Sequence, residues 1–206
     1  MTDRDHPAPY DLIRDYEEQF VYELARGVVD KPEISVWMIL IPILFVHHMY
    51  LMNKYKNGVH SFARGIMEPK LKALDKALKE RESGTECREL PPDAYFPELA
   101  GREDLDRILL SRQVRVINLL KANYRRLMDA GGSSYGRLLR RAYPEQQQYK
   151  TFISGLTKAE RDLNQYLTEN FHTSEASLAI VRRMEEQCRL LRKKEFAFFY
   201  NSSGSD

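Results

Sequence analysis

The chain has 206 residues, 43% of them hydrophobic and 30% charged, with a formal net charge of +2. That mixture is too apolar for a disordered chain, too charged for a multi-span membrane protein, and too evenly balanced to indicate nucleic acid by charge alone. The two cysteines, Cys87 and Cys188, exclude a disulfide framework and have neither zinc nor C-x-x-C spacing, which fits a reducing compartment.

The opening stretch, Met1 to Tyr10, is polar and lacks the basic-then-apolar order of a signal peptide. Leu12, Ile13, Tyr16, Phe20 and Leu24 then recur at helical spacing, so a helix is expected from about Ala8 to Val29. Asp30-Lys31-Pro32-Glu33 ends it. Pro32 suits the first turn of a second helix, where its missing N–H has no partner to lose. That helix is expected to run through an apolar stretch toward about Arg81, with Pro42, Gly58 and Pro69 as candidate kinks. Residues 83–101 contain Gly84, Pro91, Pro92 and Pro97 and read as a linker.

A third helix is expected over about Arg102 to Ala130, stopped by Gly131 and Gly132. Ser133 or Ser134 caps a short helix ending before Pro144, and a further short helix covers Glu145 to Ser154. Thr157 and Glu160 have the spacing of a capping box, which would start a separate helix ending near Phe171. Thr173 or Ser174 opens the last helix, which reaches about Tyr200. The aromatic run Phe196-Ala-Phe-Phe-Tyr200 at its end is expected to dock into the core. The expected fold is therefore all-α: an irregular bundle of long helices, one with a strongly apolar, Pro-containing segment. Residues 1–82 form an N-terminal helical hairpin in this reading, 102–200 a C-terminal bundle, and 201–206 a polar tail.

From Ile34 to Met52 the chain has no Asp, Glu, Lys or Arg. The mean hydropathy there is roughly +1.9 per residue, in the range that nominates a membrane span, and the length just suffices for a crossing. Trp37 and Tyr50 lie near opposite ends, where interfacial aromatics belong, and Lys54 and Lys56 follow. Pro42 at the centre and the His47-His48 pair oppose a simple span and favour a re-entrant or interfacial segment. A helix apolar all round also suits the centre of a soluble bundle, with Trp37, Ile41 and Phe45 as core.

Between Arg107 and Arg141 nine Lys or Arg stand against a single acid, Asp129. Projected as a helix, Leu105, Leu109, Val116, Leu120, Tyr124 and Leu127 share one face. Arg107, Arg115, Lys121, Arg125 and Arg126 share the other, and Arg137, Arg140 and Arg141 follow. This basic stripe is expected to face water, neutralised by acids such as Glu17, Glu18, Glu185 and Glu186, or to meet anionic lipid or an acidic protein. Nucleic acid is disfavoured, because no helix-turn-helix, zinc or RNP-type pattern accompanies the charge.

Nothing in the sequence calls for an enzyme. No Glu-x-x-His pair supports a di-iron site, and Gly131 to Arg137 lacks the Walker A order and reads as a helix–helix turn. His48 and His60 would lie roughly on one side of an unkinked helix and are weak metal or haem candidates; no cofactor is expected. Three functional expectations follow. The first is a non-catalytic membrane-associated protein on the cytoplasmic side, with a basic face for anionic lipid or an acidic partner. The second is a soluble, self-associating helical scaffold with 34–52 as its core, and the third a histidine-based ligand binder.

Overall fold

A computed structural model describes residues 8–28, 58–85, 91, 95–96, 106–170 and 175–201. It bears out the all-α expectation: among the described residues there are six α-helices and no strand. These are α1 (Pro9–Val28), α2 (Gly58–Ser83), α3 (Arg107–Ala130), α4 (Tyr135–Ala142), α5 (Gln146–Asn170) and α6 (Glu175–Phe196). A π-helical turn, Ala197–Asn201, ends the described chain. The apolar segment, with Trp37, Ile41, Pro42, Phe45 and Tyr50, lies outside the described residues, as do His47, His48 and Cys87. No described helix is long and apolar enough to cross a membrane.

Helices α1, α2 and α3 form the packed base. In α1 the buried positions Ile13, Glu17, Val21, Leu24 and Val28 follow the three-and-four spacing of one helix face. In α2, Ala73 and Ala77 are fully buried one turn apart, and such small side chains let neighbouring backbones approach closely. Helix α3 contributes Ile117, Leu120, Tyr124, Leu127 and Met128 to the same core, which continues into Leu138 and Leu139 of α4. Burial of each such aliphatic side chain contributes about 1.5–3 kcal/mol. This cluster draws on helices from both sides of the 83–101 linker and includes Tyr95 and Phe96 from within it.

Helix ends follow local chemistry. Asp106 caps α3, its carboxylate accepting from the Ile108 and Leu109 N–H groups at 2.9 and 3.0 Å. Gly131 leaves α3 with a φ of +62°, a conformation that suits glycine. Ser134 then caps α4. So the Gly131–Arg137 run is a helix–helix turn, as its sequence suggests.

Pro69 lies within α2, one turn after Gly65, inside the second helix as expected. One boundary differs from expectation. The spacing of Thr157 and Glu160 does not start a helix, because α5 runs unbroken from Gln146 to Asn170. Both side chains instead accept from the Arg192 guanidinium, at 2.8 Å to the Thr157 hydroxyl and 2.7 Å to each Glu160 oxygen. A tertiary partner has taken the groups that local sequence assigned to a cap. The aromatic tail docks: Phe196, Phe199 and Tyr200 pack on the core, while Phe198 remains 67% exposed.

Candidate functional site

A buried network of tyrosines and carboxylates lies where α1, α3, α4, α5 and α6 converge. Glu17 of α1 accepts from the Lys70 ammonium and the Tyr124 hydroxyl, both at 2.7 Å. Glu195 of α6 accepts from Tyr149 at 2.7 Å and from Tyr135 at 3.4 Å. Tyr16, one residue before Glu17, also hydrogen-bonds Glu195, and its ring stacks on that of Tyr135 with centroids 3.6 Å apart.

Burial pushes the Glu195 carboxyl above its usual range, with the tyrosine hydroxyls and Arg192 pulling the other way. Burial, then the nearby glutamates, pushes the Tyr124, Tyr135 and Tyr149 hydroxyls well above 10. These donors and acceptors satisfy one another, which makes the network a structural device. No group of side chains able to hold a metal occurs among the described residues.

Beside this network α5 and α6 run antiparallel across a cleft of about 650 Å³. Its walls are apolar, with Phe20, Leu24, Ile66, Leu120, Ile153 and Met184 among them. Polar contacts bridge the two helices over it: Arg192 to Thr157 and Glu160, and Asn164 to Glu185 at 3.0 Å. Gly65 and Pro69 of α2 both line the cleft. Proline has no N–H to give to the carbonyl one turn back, so this stretch of α2 contributes little side-chain volume and an interrupted hydrogen-bond ladder. Cys188 also lines the cleft, and burial pushes its thiol up to about 11, so it is largely protonated at neutral pH.

The residues of the expected basic stripe on α3 differ in their surroundings. Lys121 is a correction: it is 2% exposed, and its ammonium donates to Glu80 Oε1 at 2.7 Å. Its position four after Ile117 and three before Tyr124 places it on the buried side. Arg125 is half-buried against Asp129 at 2.8 Å. Arg126 donates to the Ala142 carbonyl at 2.6 Å and lies 4.1 Å from the centre of the Tyr143 ring, which ties α3 to the end of α4. Arg137, Arg140 and Arg141 are exposed, yet each donates locally, to Ser133, the Phe199 carbonyl and the Gly131 carbonyl. Arg115 faces solvent beside Asp162 at 3.5 Å, and Arg107 is exposed.

The acids named as neutralising partners divide similarly. Glu18 and Glu186 are exposed, Glu185 is half-buried, and Glu17 is buried. Glu17 was legible as an inward position, since it falls four residues after Ile13 and four before Val21. His60 is exposed on α2, its ring 5.5 Å from that of Tyr22. Comparison with known protein families, curated proteins and solved structures finds no match to this chain.

Proposed function

We propose that this chain is a non-catalytic, membrane-associated helical protein whose apolar segment, Ile34–Met52, attaches it to a bilayer from one side. The observation that supports this is the position of the segment's flanks. Val28, at the end of α1, and Val59, at the start of α2, belong to one apolar cluster with Leu24, Ala25 and Phe62. The chain therefore leaves and re-enters the bundle at the same end. A single crossing would put those flanks on opposite sides of the bilayer, some 30 Å apart. Attachment from one side satisfies both the uncharged sequence and the shared cluster, and Pro42 near the midpoint is compatible with it.

Arg26, Arg64 and Arg182 belong to the helices that build this cluster, and Lys31, Lys54 and Lys56 flank the apolar segment in sequence. They supply attraction to anionic head groups, in place of the Arg107–Arg141 stretch. Flotation of the full-length chain with vesicles tests the reading. Binding that survives alkaline carbonate, with the Lys31 and Lys54 amines both labelled by a membrane-impermeant reagent from the same side, is the expected outcome. Recovery of full-length protein in a detergent-free supernatant as a defined oligomer would replace it with the soluble self-associating scaffold.

A further inference from the structure

We propose that the cleft between α5 and α6 is a binding site for a single aliphatic chain ending in an anionic head, such as a long-chain carboxylate. Its size lies within the range of pockets that enclose small ligands, and the surface its walls expose is mostly apolar, with charged side chains from α5 and α6 lining it as well. This inference does not depend on membrane attachment.

The charge at the mouth selects the head group. Lys150, Arg161, Arg182 and Lys193 all line the cleft, and none has a carboxylate partner among the described residues. The other basic side chains lining it are already engaged: Lys70 with Glu17, Arg189 with Glu186, and Arg192 with Glu160. Of the lining carboxylates, Glu160 and Glu186 are held by those arginines and Glu185 by Asn164. The surplus is therefore cationic, and no carboxylate among the described residues neutralises it.

The same geometry orients the ligand. Lys150 sits with its ammonium 4.7 Å from the centre of the Phe196 ring, and Lys193 lies one turn before Phe196 on α6. These two cations mark one end of the cleft. Toward the other end the walls pass to Leu24, Phe62 and Met184, which belong to the apolar cluster shared by Val28 and Val59, and of the four cations only Arg182 lies near them, two residues before Met184. The carboxylate takes the Lys150–Lys193 end, and the aliphatic chain runs toward Leu24 and Phe62.

Cys188 reports on the cleft from inside, and Cys87 is removed as Cys87→Ser to leave one thiol. The full-length protein is treated with N-ethylmaleimide, and Cys188 alkylation is followed by mass spectrometry with palmitate, with hexadecanol, and with phosphatidylglycerol vesicles. Palmitate is expected to slow alkylation by about tenfold at saturation, and hexadecanol, which lacks the charge, to need about tenfold more ligand for the same effect. Lys150→Glu with Lys193→Glu, both exposed positions, is expected to abolish the difference between the two ligands when each rate is taken relative to the variant's own unliganded rate. Protection by free palmitate identifies a soluble carboxylate as the source, and protection by vesicles alone identifies a bilayer lipid. The inference is overturned if no ligand protects Cys188, or if palmitate and hexadecanol protect equally. It is also overturned if the double charge reversal leaves palmitate protection intact. Flotation failing while palmitate still protects Cys188 would remove the membrane proposal and keep this one.

Discussion

The two sides of the bundle are closed by different chemistry. At the α2–α3 seam, Ala73 and Ala77 bring the helices together, and Leu120, Tyr124 and Leu127 fill what remains. Between α5 and α6, long polar side chains reach across instead: Arg192 to Glu160 and Asn164 to Glu185. A pair of small residues excludes space, whereas a guanidinium–carboxylate bridge spans it. The cleft follows from that choice of contact, and so does the contrast in how the two sides should respond to substitution.

The largest effect is expected on the closed side. Lys121 and Glu80 are buried and 2.7 Å apart. Lys121→Met leaves Glu80 without that ammonium and should cost about 3–5 kcal/mol in denaturant unfolding, whereas adding Glu80→Leu should recover most of the loss. If the double variant is as unstable as the single one, the pair is not what holds α2 against α3.

A smaller effect separates filled space from open space directly. A Cβ at Gly136 would lie 2.7 Å from Cδ1 of Phe199, so Gly136→Val should displace the docked ring and cost about 1–3 kcal/mol. Ile153 lines the cleft, and Ile153→Phe should change stability by less than about 1 kcal/mol, because the ring can extend into unfilled volume. Equal losses for the two variants in a thermal melt would mean that the cleft is as tightly packed as the core. Gln113 adds a local exception on the closed side. It is 4% exposed, and neither polar atom of its amide has a hydrogen-bond partner among the described residues. Gln113→Leu should raise stability by about 1 kcal/mol by removing an unpaired buried amide.

This contrast was only partly legible in the sequence. Helix existence was, because Ile13, Val21 and Leu24, or Leu120, Tyr124 and Leu127, repeat at a period that only a helix satisfies. The stop at Gly131 and the cap at Ser134 were legible for the same local reason. Thr157 and Glu160 were misread because their partner, Arg192, is far along the chain, and no local pattern announces a distant guanidinium. Lys121 was misread because its type argued for solvent while its spacing from Ile117 and Tyr124 argued for the interior. The cleft itself left almost no signal. It is an absence of volume among side chains brought together by tertiary contact, and its charged mouth is assembled from α5 and α6 rather than from one run of sequence.

The smallest expected effect concerns the network that joins the two sides. Burial raises the Glu195 carboxyl above the ordinary value of 4.5, so the native state retains a proton that the unfolded chain gives up. Its contribution to stability is therefore full below about pH 4.5 and is lost as pH rises through the native value. Glu195→Gln keeps an oxygen that can accept from Tyr149 and removes the titration. The melting temperature of this variant, relative to the unsubstituted chain, should rise steadily across that window and then level off. A difference that stays flat with pH would mean that the tyrosine hydroxyls and Arg192 stabilise the carboxylate as strongly as burial opposes it. In that case the network would be held together by charge-assisted hydrogen bonds, and the α5–α6 side would depend on polar contacts even where it is dry.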